Sequence, residues 1–155
     1  NEVLSLAVES RQLLPEVVLS VTVPHILPLD SQAQLALDLV EIGGADIIQT
    51  EGGTSSDPRN PGTLGLIEKA SPTLAGAYAI ANAFRENHKH VPLICASGLS
   101  DVTVPMAISV GAHGVGIGSA VNKLSSELGM IATVKGLRKA LDSYKIISTI
   151  DQCIL

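Results

Sequence analysis

Aromatic residues are nearly absent from this 155-residue chain: no Trp, one Phe (Phe84) and two Tyr (Tyr78 and Tyr144), 2% in all. Without such rings a stacking platform for single-stranded nucleic acid cannot be assembled. Positive charge is also scarce. Ten Lys and Arg face fifteen Asp and Glu, a net charge of −5, so the electrostatic footprint of a DNA or RNA partner is missing. Only two cysteines are present, Cys95 and Cys153. They build no disulfide framework and fit a reducing compartment, with Cys95 as a small buried thiol in an apolar strand. The longest run without charge, 102–122, is interrupted by Pro105, His113 and glycines at 111, 114, 116 and 118, and reads as soluble protein with no membrane partner. The chain opens on Asn1 with no charged stretch and apolar core before a cleavage site, so no targeting segment is expected within it.

What is present is a core-forming composition. With 46% hydrophobic and 16% charged residues the chain is too apolar to be disordered, and it is long enough for one core but short for two ordinary domains. Val3, Leu6, Ala7, Ser10 and Leu14 share one side of an opening helix that Pro15 stops. Val17 to Val23 reads as a strand. Ser31 and Gln34 form a capping box for a helix with Leu35, Leu39 and Ile42 buried. A strand over 46–51 leads through a Gly- and Ser-rich loop, Gly52 to Ser71, to a helix with Pro72 at its first position and Leu74, Tyr78, Ala81 and Phe84 inward. A third strand (91–97), a helix (103–110), a short fourth strand (114–118) and a closing helix from Ser126 follow. That last helix carries Leu128, Ile131, Val134, Leu137 and Leu141 at helical spacing.

Strand and helix alternating four times is the signature of parallel strands joined by crossover helices. The turns at 44–48 (Gly-Ala-Asp-Ile-Ile) and 111–115 (Gly-Ala-His-Gly-Val) echo one another two such units apart. Alternation along each strand assigns Ser20 with Thr22, Gln49 with Glu51, Cys95 with Ser97, and Gly114 with Gly116 and Gly118 to a small or polar face. The other faces hold Leu19, Val21 and Val23, Ile48, Ile94 and Ala96, and Val115 and Ile117. A doubly wound sheet buries both faces, whereas a barrel turns one of them into a lumen, so a TIM-type barrel is the better reading.

In such a barrel the working residues stand at the carboxyl ends of the strands. The last two strands end at Gly98 and Gly118, each beside a serine (Ser97 and Ser119), where backbone N–H groups can approach a phosphate. The same glycines could also serve only as tight turns. Glu51 is the one carboxylate whose parity points it into the lumen at a strand end, and His25 sits at the same rim; these two are the candidates for moving a proton. An ion pair for Glu51 and a backbone hydrogen bond for His25 are the structural alternatives. Gln49, Gly52 and Gly53 complete the pocket. Arg59 and Lys69 lie in the long loop, a lid or a solvated insertion, within reach of an anion. His88, His90 and His113 fall at the opposite rim and read as structural, and no metal-ligand spacing appears.

The segments LSVTVPH, GADIIQTEGGTSS, PGTLGLIEKASPTLAGAYAIA, ICASGLSDVTVPMAI and GVGIGSAVNKL resemble the hypothetical chloroplast reading frame family number twenty-three, over nearly the whole chain to about Tyr144. The resemblance implies an α/β, TIM-barrel-like protein of the plastid stroma or the cyanobacterial cytoplasm. Its strand-end motifs fall on His25, Gln49, Glu51, Gly52, Gly53, Ser97, Gly98, Gly118 and Ser119. Family members carry further strand–helix units before the region of Asn1. The expectation is therefore the carboxyl-terminal half of a (β/α)8 barrel over 1–144, four parallel strands with helices outside, and a divergent tail over 145–155. Three functional readings stay open: an isomerase, lyase or synthase on a small phosphorylated metabolite, a non-catalytic module binding such a ligand, or an inactive fragment. No cofactor can be named, and open strand edges would allow a homo-oligomer.

Overall fold

The computed structural model describes residues 2–52 and 58–154, with side chains through residue 144. Its elements are α1 (Glu2–Leu13), β1 (Ser20–Val23), α2 (Leu29–Glu41), β2 (Ile47–Thr50), α3 (Gly62–Glu86), β3 (Leu93–Ala96), α4 (Val104–Ser109), β4 (Gly114–Gly116), α5 (Ser119–Asn122) and α6 (Glu127–Ile154). The chain is α/β. Its four strands form one sheet in the order β1-β2-β3-β4, every pair parallel, with no reversal of order.

Register defines the two faces. Val21 pairs with Ile48 and Ile48 with Leu93, and this row meets the helices; Val23, Ile48, Leu93 and Cys95 are buried there. The neighbouring row runs Thr22, Gln49, Ile94 and Gly114. That face is open, with Ser20 and Thr22 exposed and Ile47, Gln49 and Ile94 half-buried.

Face parity read from polarity was right for β1, β2 and β4 and reversed for β3. Ile94 shares the open face with Gln49 and Gly114, while Cys95 lies on the covered side, fully buried. Polarity misleads there because the open face of the sheet accepts a branched apolar side chain, and a small thiol fits closely beneath α3.

Several boundaries also differ. Residues 17–19 stay outside β1, since the Arg11 guanidinium takes the carbonyls of Pro15 (2.9 Å) and Val17 (2.8 Å). Arg11 also pairs with Asp46, whose carboxyl is held below its ordinary value first by the Leu19 N–H and then by Arg11. No capping box forms at Ser31. Helix α2 begins two residues earlier with Pro28 as its cap, and Gln34 bonds Asp38 instead. Ile42 stands exposed just past the helix, where Gln32 and Ala36 complete the buried stripe.

The largest difference is α3. It starts at Gly62, so Ser71 and Pro72 lie inside a 25-residue helix. Pro72 has no N–H to offer the preceding turn, and the Ser71 hydroxyl donates to the Ile67 carbonyl at 2.8 Å. The buried face is accordingly Ala70, Thr73, Ala77, Ile80 and Phe84, and Tyr78 is exposed. In α6, Leu137 is buried and Leu141 packs against the core, whereas Leu128, Ile131 and Val134 are exposed. Among the described residues no helix is long and apolar enough to cross a membrane.

Candidate functional site

A cleft of about 540 Å³ opens at the carboxyl ends of the strands. Each strand supplies part of its wall: Thr22, then Gln49 and Glu51, then Ser97 and Gly98, then Gly118 and Ser119. Six of the residues expected from sequence therefore come together. Gly53 lies outside the described residues. Gly52 is buried behind the wall, where a Cβ would stand 2.9 Å from the Ser97 side chain. His25 does not line the cleft, but its Nδ1 lies 3.2 Å from Glu51 Oε2.

This His–Glu contact joins the two groups singled out for proton transfer. The carboxylate oxygen is close but off the line of a ring N–H, so the buried Nδ1 has no well-aligned hydrogen-bond partner. The Glu51 side chain is 45% exposed, that of His25 21%. The loop that carries His25 is held by the buried Gln32 amide, which donates to the His25 carbonyl (3.3 Å) and the Leu27 carbonyl (2.8 Å).

Ser97 holds φ at 75°, one of only two positive values outside glycine among the described residues. That turn ends the alternation of β3 and carries the serine into the cleft wall. A buried relay of hydroxyls beneath it fixes the strand end. The Ala96 N–H donates to Thr50 Oγ1 (3.2 Å) and Thr73 Oγ1 donates to the Ala96 carbonyl. The Thr50 hydroxyl must then donate to Thr73 across 2.6 Å, so every group in the ring is satisfied. Burial pushes the neighbouring Cys95 thiol up, against hydrogen bonds from Thr73 and Thr50 that pull it down, and the result is an inert thiol.

The two glycines expected from sequence to meet a phosphate differ in kind. Gly98 has φ of 70°, and a Cβ there would stand 2.3 Å from the Lys69 carbonyl, so the fold itself demands glycine. Gly118 has φ of −112° and ψ of −79°, outside the left-handed region, and nothing lies within 4 Å of where its Cβ would be. It caps α5, its carbonyl accepting the Val121 and Asn122 N–H groups at 3.0 Å each, and no close packing excludes a side chain there.

Sequence reasoning underrated two contributors. Lys69 lines the cleft from α3, not from a loop, because the helix begins earlier than Pro72 suggested. The Thr50–Thr73 relay was missed for the same reason; starting α3 at Pro61–Gly62 places Thr73 on the buried face. Arg59 does not line the cleft. The segment around it folds back on α3, where Glu68 takes the Asn60 side-chain amide and the Asn60 N–H (3.2 Å). Those bonds, the Asn60 side chain foremost, hold the Glu68 carboxyl below its ordinary value.

Comparison with known proteins supplies the family. A family model described as "Protein of unknown function (DUF561)" matches residues 1–147. Among curated relatives, "Uncharacterized protein ycf23" of Cyanophora paradoxa is 43% identical over 136 residues, 84% of this chain and 51% of the relative. Its counterpart in Porphyra purpurea is 37% identical over 143 residues, 92% of this chain and 52% of the relative. The Cyanidium caldarium protein of the same name is 37% identical over 144 residues, 93% and 55% respectively. The chain spans about half the length of the curated relatives it matches. With the match running almost from end to end, this chain belongs to the DUF561 family.

Proposed function

We propose that the cleft binds a small phosphorylated metabolite, and that the sheet is one half of the (β/α)8 barrel that the full-length protein completes. Four parallel strands in unbroken order, helices against one face and half-buried Ile47 and Ile94 on the other are what such a sector requires. A half-length match to the relatives fits the same reading. The plastid stroma or the cyanobacterial cytoplasm is the proposed location. Without its complement, a chain of this length would expose the edges of β1 and β4 and pair with a second copy through them.

The observation that carries the ligand is Gly118. A glycine outside the left-handed region and with no packing reason, at the mouth of a cleft and beside Ser119, leaves its backbone approachable by an anion. Ser97 and Lys69, in the same wall, add a hydroxyl and an ammonium of matching chemistry.

For the reaction, Glu51 is the group that moves a proton at the ligand, with His25 as the partner that orients it; the class is isomerase, lyase or synthase. The rival is a non-catalytic binding module, favoured by the 45% exposure of the Glu51 side chain, which leaves the carboxylate solvated by water. Glu51→Gln in the full-length protein separates them. The enzyme reading expects a turnover loss of about 10²–10⁴-fold with binding retained. Unchanged turnover in the variant removes Glu51 from the mechanism, and bound ligands that the parent never converts favour the module.

A further inference from the structure

At the opposite, amino-terminal end of β3 lies a second cleft, of about 380 Å³, and its chemistry is unlike the first. Arg85, His88, Lys89, His90 and His113 line it over the buried ring of Phe84, and no carboxylate does. Three of the four histidines of a chain with net charge −5 gather there. Glu41 of α2, outside the lining, holds Lys89 at 2.8 Å.

Capping of α3 accounts for only part of this. Cations do favour a helix carboxyl end. Yet the last carbonyls are already met by backbone and Asn87: Lys89 N–H donates to Phe84 O (2.8 Å), His88 N–H to Arg85 O (3.3 Å), and the Asn87 amide to Ala83 O (2.9 Å). The first two are the backbone bonds of a Schellman motif, and they put His88 at the position usually held by glycine, with φ of 53°. His88 and Ser97 are the two non-glycine residues with positive φ among the described residues, and each lines one of the two clefts. A side chain kept where glycine would cost less points to use of that side chain. His113 arrives from another element altogether. Its Nδ1 accepts the Leu93 N–H at 3.2 Å, which fixes the tautomer and leaves Nε2–H as a donor. The imidazoles do not converge as metal ligands, since no group of three or more His, Cys, Asp or Glu able to hold a metal occurs among the described residues. Donors and cations without acceptor carboxylates suit an oxyanion.

We infer that this amino-end cleft is a second ligand site, independent of the first, for a small oxyanion carrying two or more charges. Phosphoryl and carboxylate sources share that chemistry, and a titration with two probes tells them apart. In the full-length protein, imidazole ¹H–¹⁵N resonances are followed while inorganic pyrophosphate or citrate is added. Saturable shifts of His88, His90 and His113 with either probe, His25 staying still, are the expected result, and the tighter probe names the source. His88→Gly keeps the variant folded. Relieving the left-handed residue should raise Tm by about 1–4 °C, while losing one charge-assisted hydrogen bond weakens the anion about tenfold. Imidazoles that do not respond saturably, or an affinity unchanged by both His88→Gly and Arg85→Gln, would overturn the site. Gly118→Ala, which alters only the first cleft, should leave these shifts intact, so failure of one site does not imply failure of the other.

Discussion

Ser97 at the carboxyl ends of the strands and His88 at the amino ends both sit in left-handed backbone, and both face a cleft. The two rims are otherwise built differently. The carboxyl rim is assembled from every strand, mixes polar and apolar residues and is nearly neutral, with one acid (Glu51) and one base (Lys69) in its wall. The amino rim is cationic, and most of its wall comes from the end of α3 and the turn after it. The first arrangement suits chemistry on a ligand gripped from several sides; the second suits holding charge. Their supports differ too. A closed ring of buried hydroxyls braces β3 below Ser97, whereas backbone bonds of the helix end hold His88.

The contrast can be broken by substitution. Gly98→Ala forces a side chain into left-handed backbone and against the Lys69 carbonyl, and should cost about 2–4 kcal/mol in chemical denaturation. A loss below 1 kcal/mol, within the range of an ordinary surface change, would mean that the close approach of loop to α3 is soft. Thr73→Val removes the donor to the Ala96 carbonyl and the acceptor for Thr50, with an expected cost of about 1–3 kcal/mol. It should quicken amide exchange at 96–98 and leave 88–90 unchanged; equal quickening at both rims would show that the relay does not brace the carboxyl rim selectively. The smallest effect is a gain. Ser97→Gly relieves the left-handed serine and should stabilise by about 0.5–1 kcal/mol net of the added chain entropy, while weakening the cleft ligand. A stabilised variant with full affinity would reduce Ser97 to a turn residue.

Much of this was legible in the sequence. Alternating strands and helices, the parallel sheet and six of the cleft residues follow from hydrophobic spacing and from glycines after strands. The α3 boundary did not, because a Ser-Pro pair looks like a helix start. Only tertiary packing, with Thr73 seated between Thr50 and the Ala96 carbonyl, carries the helix through the proline. The face of β3 was hidden because a buried thiol and an isoleucine on the open face invert the usual polarity. The His25–Glu51 contact joins residues from successive strand ends, and spacing along the chain cannot reveal a distance across a sheet. The character of each glycine was equally hidden. Gly98 and Gly118 look alike in sequence, and only the space around them separates a packing glycine from a bare one.

That difference gives the most direct test. The full-length protein and its Gly118→Ala variant should be screened by thermal shift against phosphorylated metabolites and their dephosphorylated forms. With φ outside the left-handed region and no atom near the new methyl group, the variant without ligand should stay within about 0.5 kcal/mol of its parent. A phosphorylated ligand at 100 times its dissociation constant should stabilise the parent by about 2.7 kcal/mol, its dephosphorylated form far less, and the variant should lose most of that gain. Equal stabilisation of parent and variant, or of phosphorylated and dephosphorylated forms, would contradict a phosphate site at the carboxyl ends of these strands.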